Sequence, residues 1–474
     1  MKLTSCQTQA KVKLEEWVDR PTTTSLSDRA FLITGKAGTG KTTLIKYVLA
    51  KFLKDEPSPI TRYAYPAVAG VCIAHKAKNV LRGSIPDCFT YAKFFGQQVI
   101  YRQDGQMDFQ KKHAPFHKFP YELPINFVVF DECSMYDMAR MREILDTVHP
   151  LTKIIFMGDP GQLPPINSDG IDLDSPVFGL DLPESSKHHL EERVRQTDQN
   201  PIVPLSDIIY EEIFGQKRFK PVYEMIRQQH KIGQGEGYEV TSLFDMVEKY
   251  IEVSKGDPLE TKVVCFRNKT VDETNQAIRN RLFGTFDSNG EFIPPPDVFM
   301  PGDSIVLNNT FTQWNDKNEK AGYPFYNSDE YLISGVVTTE LEGIKSYVLR
   351  VELPEGPHHL KAIKQPIIHV VHSEGYREYR NRLNELYAIA EAEKDRNKRR
   401  ELFQDYHEFK GMWADVSYGF AFTAYKAQGS TYRNVFVDVN DIRETYGLTK
   451  KRKLQSMYTA TTRASHNVYF LSQT

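Results

Sequence analysis

Short apolar runs punctuate the first third of the chain: Ala30–Thr34, Val68–Ala74 and Phe127–Phe130, with Lys153–Met157 soon after. Runs this short, apolar on both faces, read as buried parallel strands. Amphipathic stretches lie between and after them, Thr42–Leu53 and Met138–Val148, with apolar positions three and four apart. Strands alternating with helices predict an α/β layer around a parallel sheet. The pattern returns late. Lys262–Phe266 precedes a helix-like Val271–Phe283, and Val435–Val439 and Val468–Leu471 flank a helix-like Leu454–Thr462. The chain therefore has two α/β regions, and the second is interrupted.

The interruption runs from about Asp297 to Met412. Its first part holds short strands with turn residues, Ser304–Leu307, Tyr331–Val337, Ser346–Val351 and Ile367–Val371, which predict a small barrel. Its second part, Arg377–Phe409, is charged with helical periodicity and reads as an exposed helix or helix pair. A smaller insertion lies in the first region. Val99–Arg102 and Met107–Gln110 flank Asp104-Gly105, a strong hairpin signal because type I′ turns need positive φ.

Composition narrows the class. A chain of 474 residues is too long for one ordinary core. Its net charge of −2 excludes a bulk basic DNA-coating protein, so a groove for a polyanion must come from local clusters. Five scattered cysteines fit a reducing compartment, without a disulfide framework or zinc pairs. His113 and His117 have a helical ligand spacing, but Pro115 between them argues against a metal site. No secretory leader and no apolar run of membrane-spanning length is present, so a cytoplasmic location is expected, the host cytoplasm for a phage protein.

The strongest chemical signal is Gly35-Lys36-Ala37-Gly38-Thr39-Gly40-Lys41-Thr42, a P-loop directly after a strand and before a helix. Its glycines let backbone N–H groups turn inward around phosphate, and the helix N-terminus adds its positive dipole end. Lys41 is expected to reach the β- and γ-phosphates and Thr42 to bind Mg²⁺. Asp131-Glu132 ends a neighbouring strand. There Asp131 suits Mg²⁺ through water and Glu132 the attacking water. The bland alternative for the pair is a helix cap. The expected cofactors are ATP and Mg²⁺.

Further motifs follow in chain order. They are Leu3-Thr4-Ser5-Cys6-Gln7, Gly158-Asp159-Pro160-Gly161-Gln162-Leu163-Pro164-Pro165, Leu190-Glu191-Glu192-Arg193-Val194-Arg195-Gln196, Thr423-Ala424-Tyr425-Lys426-Ala427-Gln428-Gly429-Ser430 and Tyr458-Thr459-Ala460-Thr461-Thr462-Arg463. With the P-loop and the acid pair they resemble the superfamily 1 helicases, in the 5′→3′, RecD-like branch that includes the Dda-like enzymes. The resemblance covers nearly the whole chain.

The resemblance implies two RecA-like P-loop NTPase lobes, with ATP bound between them and hydrolysis coupled to lobe closure. A β-hairpin pin is inserted in the first lobe, and an SH3-like barrel plus a helical extension in the second. The implied boundaries are 1–85 and 121–190 for the first lobe, 86–120 for the pin, 191–296 and 413–474 for the second lobe, and 297–412 for the barrel with its extension. Gln162 then contacts the γ-phosphate, and Arg195 and Arg463 act as arginine fingers from the far lobe, with the forked geometry that phosphoryl transfer needs. Gln7 reads the adenine edge, with Gln9 as a rival. Gly35, Gly38, Thr39, Gly40, Thr42, Thr43, Gln428 and Gly429 complete the nucleotide site.

The same resemblance implies single-strand contacts from His75, Lys78, Thr90, Tyr91, Thr423, Tyr425, Lys426 and Ser430. Ile73-Ala74 replace the family's usual Pro-Thr, and Tyr91 and Tyr425 each stand where a His is usual. A phenol ring can still stack on a base. The hairpin occupies the place of the pin that splits duplex, flanked by Phe94, Phe95, Tyr101 and Phe109. Trp314 and Trp413 suit either base stacking or packing. The expected activity is ATP-dependent 5′→3′ translocation and unwinding by a monomer, on single-stranded and fork DNA. Replication, recombination and repair are the open settings, with single-strand-binding or replication and recombination proteins as partners. The competing reading is an ATP-gated strand-binding remodeller without processive unwinding.

Overall fold

The computed structural model describes residues 3–53, 67–73, 75–101, 107–111, 125–165, 173–194, 200–215, 226, 236–314, 322–353 and 366–472. The chain divides into two compact units. Unit 1 comprises Met1–Glu239, Ala427–Thr431 and Thr445–Val468; unit 2 comprises Val240–Lys426, Tyr432–Glu444 and Tyr469–Thr474.

Unit 1 contains β1 (Ala30–Gly35), β2 (Val68–Cys72), β3 (Cys88–Thr90), β4 (Gln97–Tyr101), β5 (Met107–Lys111), β6 (Phe127–Phe130), β7 (Lys153–Gly158) and β8 (Lys187–Leu190). Six of these form one sheet in the order β3-β2-β6-β7-β1-β8, and every pairing in it is parallel. The four predicted strands are its centre. Helices cover both faces. One face packs Leu14, Trp17, Leu44 and Ile45 against Phe31 and Ile33. The other packs Phe94, Tyr136 and Ile144 against Phe130 and Phe156. In a doubly wound sheet, ligands bind at the carboxyl ends of the strands. The P-loop leaves that end of β1, Asp131 that end of β6, and Asp159 that end of β7.

The strands β4 and β5 pair antiparallel, from Gln97↔Lys111 to Tyr101↔Met107, as the Asp104-Gly105 signal predicts. The turn between them, the rings of Tyr101 and Phe109, and His113 and His117 lie outside the described residues. Phe94 and Phe95 are fully buried in the core beneath, which removes them from any role at a duplex junction.

Unit 2 and the strands that lead into it comprise β9 (Gly237–Ser242), β10 (Thr261–Cys265), β11 (Thr285–Phe286), β12 (Phe292–Ile293), β13 (Ser304–Leu307), β14 (Phe311–Trp314), β15 (Gly322–Phe325), β16 (Glu330–Leu341), β17 (Ile344–Glu352), β18 (Ile367–Val371), β19 (Val416–Tyr418), β20 (Ala421–Thr423), β21 (Tyr432–Asp438) and β22 (Ala464–Ser472). The second α/β sheet runs β20-β10-β21-β22-β9, with β10 parallel to both β20 and β21. The insertion forms an antiparallel sheet, β18-β17-β16-β13-β19, around Ile305, Leu307, Phe311, Tyr331, Ile333 and Leu349. It is the barrel-like element that the strand pattern predicts.

The charged stretch is a helix pair, Tyr376–Ala392 and Arg396–Gly411. Ala390 is its one buried residue. Aromatic contacts join the two helices: Tyr387 to Phe403 at 5.9 Å and to Tyr406 at 5.7 Å, and Tyr379 to Phe409 at 6.1 Å between ring centroids.

The Ser5–Asp19 helix was not predicted by the apolar pattern. Thr4 caps it through a reciprocal bond pair with Gln7, and Ala10, Leu14, Trp17 and Val18 bury one stripe. No helix among the described residues is long and apolar enough to cross a membrane.

Candidate functional site

The P-loop connects β1 to the Lys41–Val48 helix. Gly38 and Gly40 adopt φ of 81° and 76°, a region in which a side chain is strained. A Cβ on Gly40 would also stand 2.5 Å from Gln7 Nε2. Lys41 Nζ donates to Gly35 O at 2.8 Å and Lys36 O at 3.1 Å, so its ammonium rests on loop carbonyls. Thr42 and Thr43 occupy the first turn of the helix, partly exposed. The buried Thr39 bonds Lys36 O through Oγ1 at 2.9 Å.

Gln7 is buried against this loop. Its Nε2 donates to Thr39 O at 2.9 Å, and its Oε1 accepts Thr4 N–H at 3.1 Å. Gln9 is exposed. The base-reading role expected of Gln7 therefore meets an amide already engaged at both ends, with one N–H and one lone pair remaining.

Asp131 follows β6, and its N–H donates to Val71 O at 2.9 Å. Its Oδ1 accepts Glu132 N–H at 2.9 Å. Burial, reinforced by the Glu132 charge, pushes the Asp131 carboxyl up to about 7; the Glu132 N–H bond and Lys41 oppose that rise. Glu132 has φ 52°, a rare conformation for a non-glycine residue, and starts a short 3-10 turn, Cys133–Met135. Two carboxylates crowded against a lysine, one of them strained, form an acid pair that favours a cation.

Asp159 joins the parts. It is fully buried, and its Oδ2 accepts from Tyr458 Oη at 2.8 Å and from Gln162 Nε2 at 3.5 Å. The Tyr458 hydroxyl in turn accepts Ala37 N–H of the P-loop at 3.3 Å. Gln428 Nε2 donates to Gln162 Oε1 at 3.2 Å and to Ser134 Oγ at 3.0 Å, while Gln428 Oε1 is buried without a partner among the described residues. One hydrogen-bond chain thus runs from the P-loop through Tyr458, Asp159 and Gln162 to Gln428. Gly429, at φ 79°, lies within contact of Ala77.

Sequence reasoning missed three members of this site. Asp207 Oδ1 accepts from Lys36 Nζ at 2.7 Å and from Arg193 Nη2 at 2.8 Å, and the Tyr458 hydroxyl ties the loop. Arg193 stands two positions from Arg195 in the motif already quoted, and Val194 N–H bonds Gly38 O at 2.8 Å. The signal was a second arginine in an arginine-bearing motif. Arg195 itself lies outside the described residues.

Arg463, expected from the far lobe, belongs to unit 1, the unit of the P-loop. Its helix is fastened there by Tyr458 and by Leu163 N–H donating to Thr459 Oγ1 at 3.1 Å. The Arg463 guanidinium is buried and donates to Thr459 O at 3.1 Å, Ser430 O at 3.3 Å and Thr462 Oγ1 at 3.3 Å.

The strand-contact candidates divide. His75 and Lys78 are partly exposed on the His75–Arg82 helix. Thr90 caps the Tyr91–Phe94 turn through Lys93 N–H. Tyr91 is a core residue: its hydroxyl donates to Glu143 Oε2 at 2.8 Å, and its ring packs on Phe95 and Tyr136. Ring contacts with Phe95 and Tyr136 together with the hydroxyl bond to Glu143 suit a phenol here, and they withdraw Tyr91 from the strand-facing set. In unit 2, Thr423 Oγ1 accepts Lys426 N–H at 3.2 Å, Lys426 Nζ donates to Asn308 Oδ1 at 2.8 Å, and Tyr425 is partly exposed. Ser430 belongs to unit 1, and its hydroxyl is buried without a partner among the described residues. Trp413 is buried, and its ring packs on Tyr379 and Phe409.

Among the described residues, no His, Cys, Asp and Glu cluster holds a metal by itself, and the five cysteines are free.

Comparison with known proteins agrees with these motifs. An AAA domain family model matches residues 21–208, and a UvrD-like helicase C-terminal domain model matches residues 418–471. An uncharacterized protein of Acanthamoeba polyphaga mimivirus is 25% identical over 510 residues, covering 97% of each chain. The ATP-dependent DNA helicase dda of Enterobacteria phage T4 is 25% identical over 257 residues, 53% of this chain and 52% of that one. The RecBCD enzyme subunit RecD of Mycolicibacterium smegmatis is 29% identical over 155 residues, 31% of this chain and 27% of that subunit. A Pif1 helicase from Bacteroides, solved with ADP-AlF3 and ssDNA, aligns over 100% of this chain and 94% of that one, at TM-score 0.49 and 14% identity. On its motifs, its two matched domains and its curated relatives, the chain is related to the superfamily 1 helicases of the Dda and RecD branch.

Proposed function

We propose that the chain is an ATP-dependent DNA helicase that translocates 5′→3′ on single-stranded DNA and opens duplex ahead of it. The observation that carries this reading is the hydrogen-bond chain from Ala37 through Tyr458, Asp159 and Gln162 to Gln428. It links phosphate-binding backbone to a motif whose other end, Thr423–Lys426, belongs to unit 2. In this reading a change at the γ-phosphate reaches Gln428 through this chain, and Gln428 is joined to Thr423–Lys426 along the backbone of one motif.

In this reading the P-loop amides, Lys41 and Thr42 hold the triphosphate, with Gly35, Gly38, Thr39, Gly40 and Thr43 shaping the cradle. Lys41 exchanges its two carbonyl partners for phosphate oxygens. Thr42 and Asp131 hold Mg²⁺, Asp131 through water; the raised Asp131 carboxyl and its crowding by Glu132 fit a site made for a cation. Mg²⁺ held there would neutralise charge on the phosphates. Glu132 orients and deprotonates the attacking water. Gln162 and Gln428 respond to the γ-phosphate together, through the bond between them. Arg195 and Arg463 stabilise the transferring phosphoryl group; for Arg463 this requires release from Ser430 O and Thr459 O.

His75, Lys78, Thr423, Tyr425, Lys426 and Ser430 contact the strand, mostly at phosphates, so binding reads little sequence. A single chain carries the whole set. The test is unwinding of matched duplexes with a 5′ or a 3′ single-stranded tail, with ATP and Mg²⁺. Only the 5′-tailed substrate is expected to open, and Lys41→Ala abolishes it. Opening of the 3′-tailed substrate alone would overturn the polarity. DNA-stimulated hydrolysis without any opening would favour a remodeller.

A further inference from the structure

The tip of the helix pair in unit 2 is built against a local rule. Lys394-Asp395-Arg396-Asn397-Lys398-Arg399-Arg400 puts five cations around the start of the Arg396–Gly411 helix. That is the positive end of a helix dipole, where acidic residues are favoured and cations are not. A local conflict of this kind marks a site retained for a reason other than stability.

The two acids next to the helix start are already engaged, and among the described residues the exposed Glu391 and Glu401 form no ion pair with these cations. Asp395 is spent as the helix cap, accepting from Asn397 N–H at 3.0 Å and Lys398 N–H at 2.9 Å. Glu393 accepts Asp395 N–H at 2.9 Å and pairs with Lys398 at 3.5 Å. Among the described residues, Lys394, Arg396, Arg399 and Arg400 form no ion pair, and all four are exposed. Arg396, Arg399 and Arg400 are three and four positions apart, so they share one face of the helix. The terminal amides are already capped; the available donors are guanidinium groups.

We propose that this tip binds the phosphate backbone of duplex DNA. The inference rests on the helicase reading, which supplies a duplex as the substrate. Charge complementarity selects a polyanion, and guanidinium forks match phosphate oxygens. The nearby rings favour duplex over single strand. Tyr387 packs edge to face on Phe403 at 5.9 Å and on Tyr406 at 5.7 Å, and the Arg399 guanidinium lies over the Phe403 ring at 5.6 Å, so these rings are taken up by protein partners, whereas single-strand sites present open rings for base stacking. Backbone contact without stacking is the sequence-independent mode of duplex binding.

The test compares the full-length protein with an Arg396→Gln/Arg399→Gln/Arg400→Gln variant. Fluorescent blunt duplex and oligo-dT are titrated separately across a series of KCl concentrations. Losing three phosphate contacts lowers the slope of log K against log salt on duplex by about 2 to 3. The oligo-dT slope and oligo-dT-stimulated ATP hydrolysis stay at wild-type values, and an Arg→Lys triple variant keeps the duplex slope. Thermal unfolding of the Gln variant is expected at or above the wild-type temperature, because cations leave the positive end of a helix. An unchanged duplex slope would overturn the proposal, and so would an equal loss on both DNAs, which would assign the tip to single strand. Failure of oligo-dT to stimulate hydrolysis in the wild type would instead overturn the helicase reading.

Discussion

Gln7 is held at both ends of its amide, and this decides how it acts on the nucleotide. Its donor is committed to Thr39 O and its acceptor to Thr4 N–H, while its Nε2 fills the space beside Gly40. Removing it frees the P-loop before it frees a base. Gln7→Ala is therefore expected to raise KM for ATP and for GTP by the same factor, with kcat changed less. Steady-state hydrolysis of both nucleotides checks this. A rise confined to ATP would return Gln7 to the base edge. At this scale the P-loop and the acid pair were legible in sequence because their chemistry depends on spacing within a few residues. Tyr91 was not, because its role depends on Glu143, Phe95 and Tyr136, and only folding brings Glu143 and Tyr136 to it. Asp207 was invisible for the same reason: Lys36 lies 171 residues away, and Arg193, 14 residues away, reaches it only once the chain has folded.

Elements were legible where burial is two-sided. The strands β1, β6 and β7 each carry an apolar run of four residues and are buried on both faces, so composition marks them. The Ser5–Asp19 helix buries only a narrow stripe, and β8 (Lys-His-His-Leu) has no apolar run at all. The first helix is held by one side chain that no periodicity reveals. Lys153, at the start of β7, is buried and donates to Trp17 O, Val18 O and Arg20 O, each at 2.7 Å. Its ammonium closes the carbonyl end of the helix, where a cation is favoured. Burial pulls its pKa down, and the three carbonyls hold it in place. Lys153→Ala leaves buried acceptors unpaired and is expected to cost about 2–4 kcal/mol. Urea unfolding followed by Trp17 fluorescence measures it. A loss under 1 kcal/mol would mean that water replaces the ammonium.

Across the whole molecule, the barrel-like insertion is fixed to the second α/β sheet by a buried ion pair. Lys262, on β10, has no exposed surface and pairs with Glu330 of β16 at 2.8 Å. It also donates to Gly419 O at 2.6 Å, and Tyr432 Oη donates to Glu330 at 2.7 Å. Breaking such a pair strands one buried charge. Lys262→Met is expected to destabilise by about 3–5 kcal/mol, and Lys262→Met/Glu330→Leu by clearly less than the sum of the single changes. Additive losses in denaturant melts would show that the two charges act independently.

The interleaving of the units was not legible either, because Tyr458 and Gln428 reach unit 1 across nearly the full sequence. It has a consequence for how the protein is made. Unit 1 starts with the first residues, yet it is complete only when residue 468 has been added. During synthesis the P-loop emerges before Gln428, Tyr458 and Arg463, which belong to the same unit but follow the whole of Val240–Lys426. A nascent chain that has not reached these residues carries the P-loop without its hydrogen-bond partner Tyr458, and Gln162 without Gln428, so the unit closes only after the insertions that interrupt it have been made.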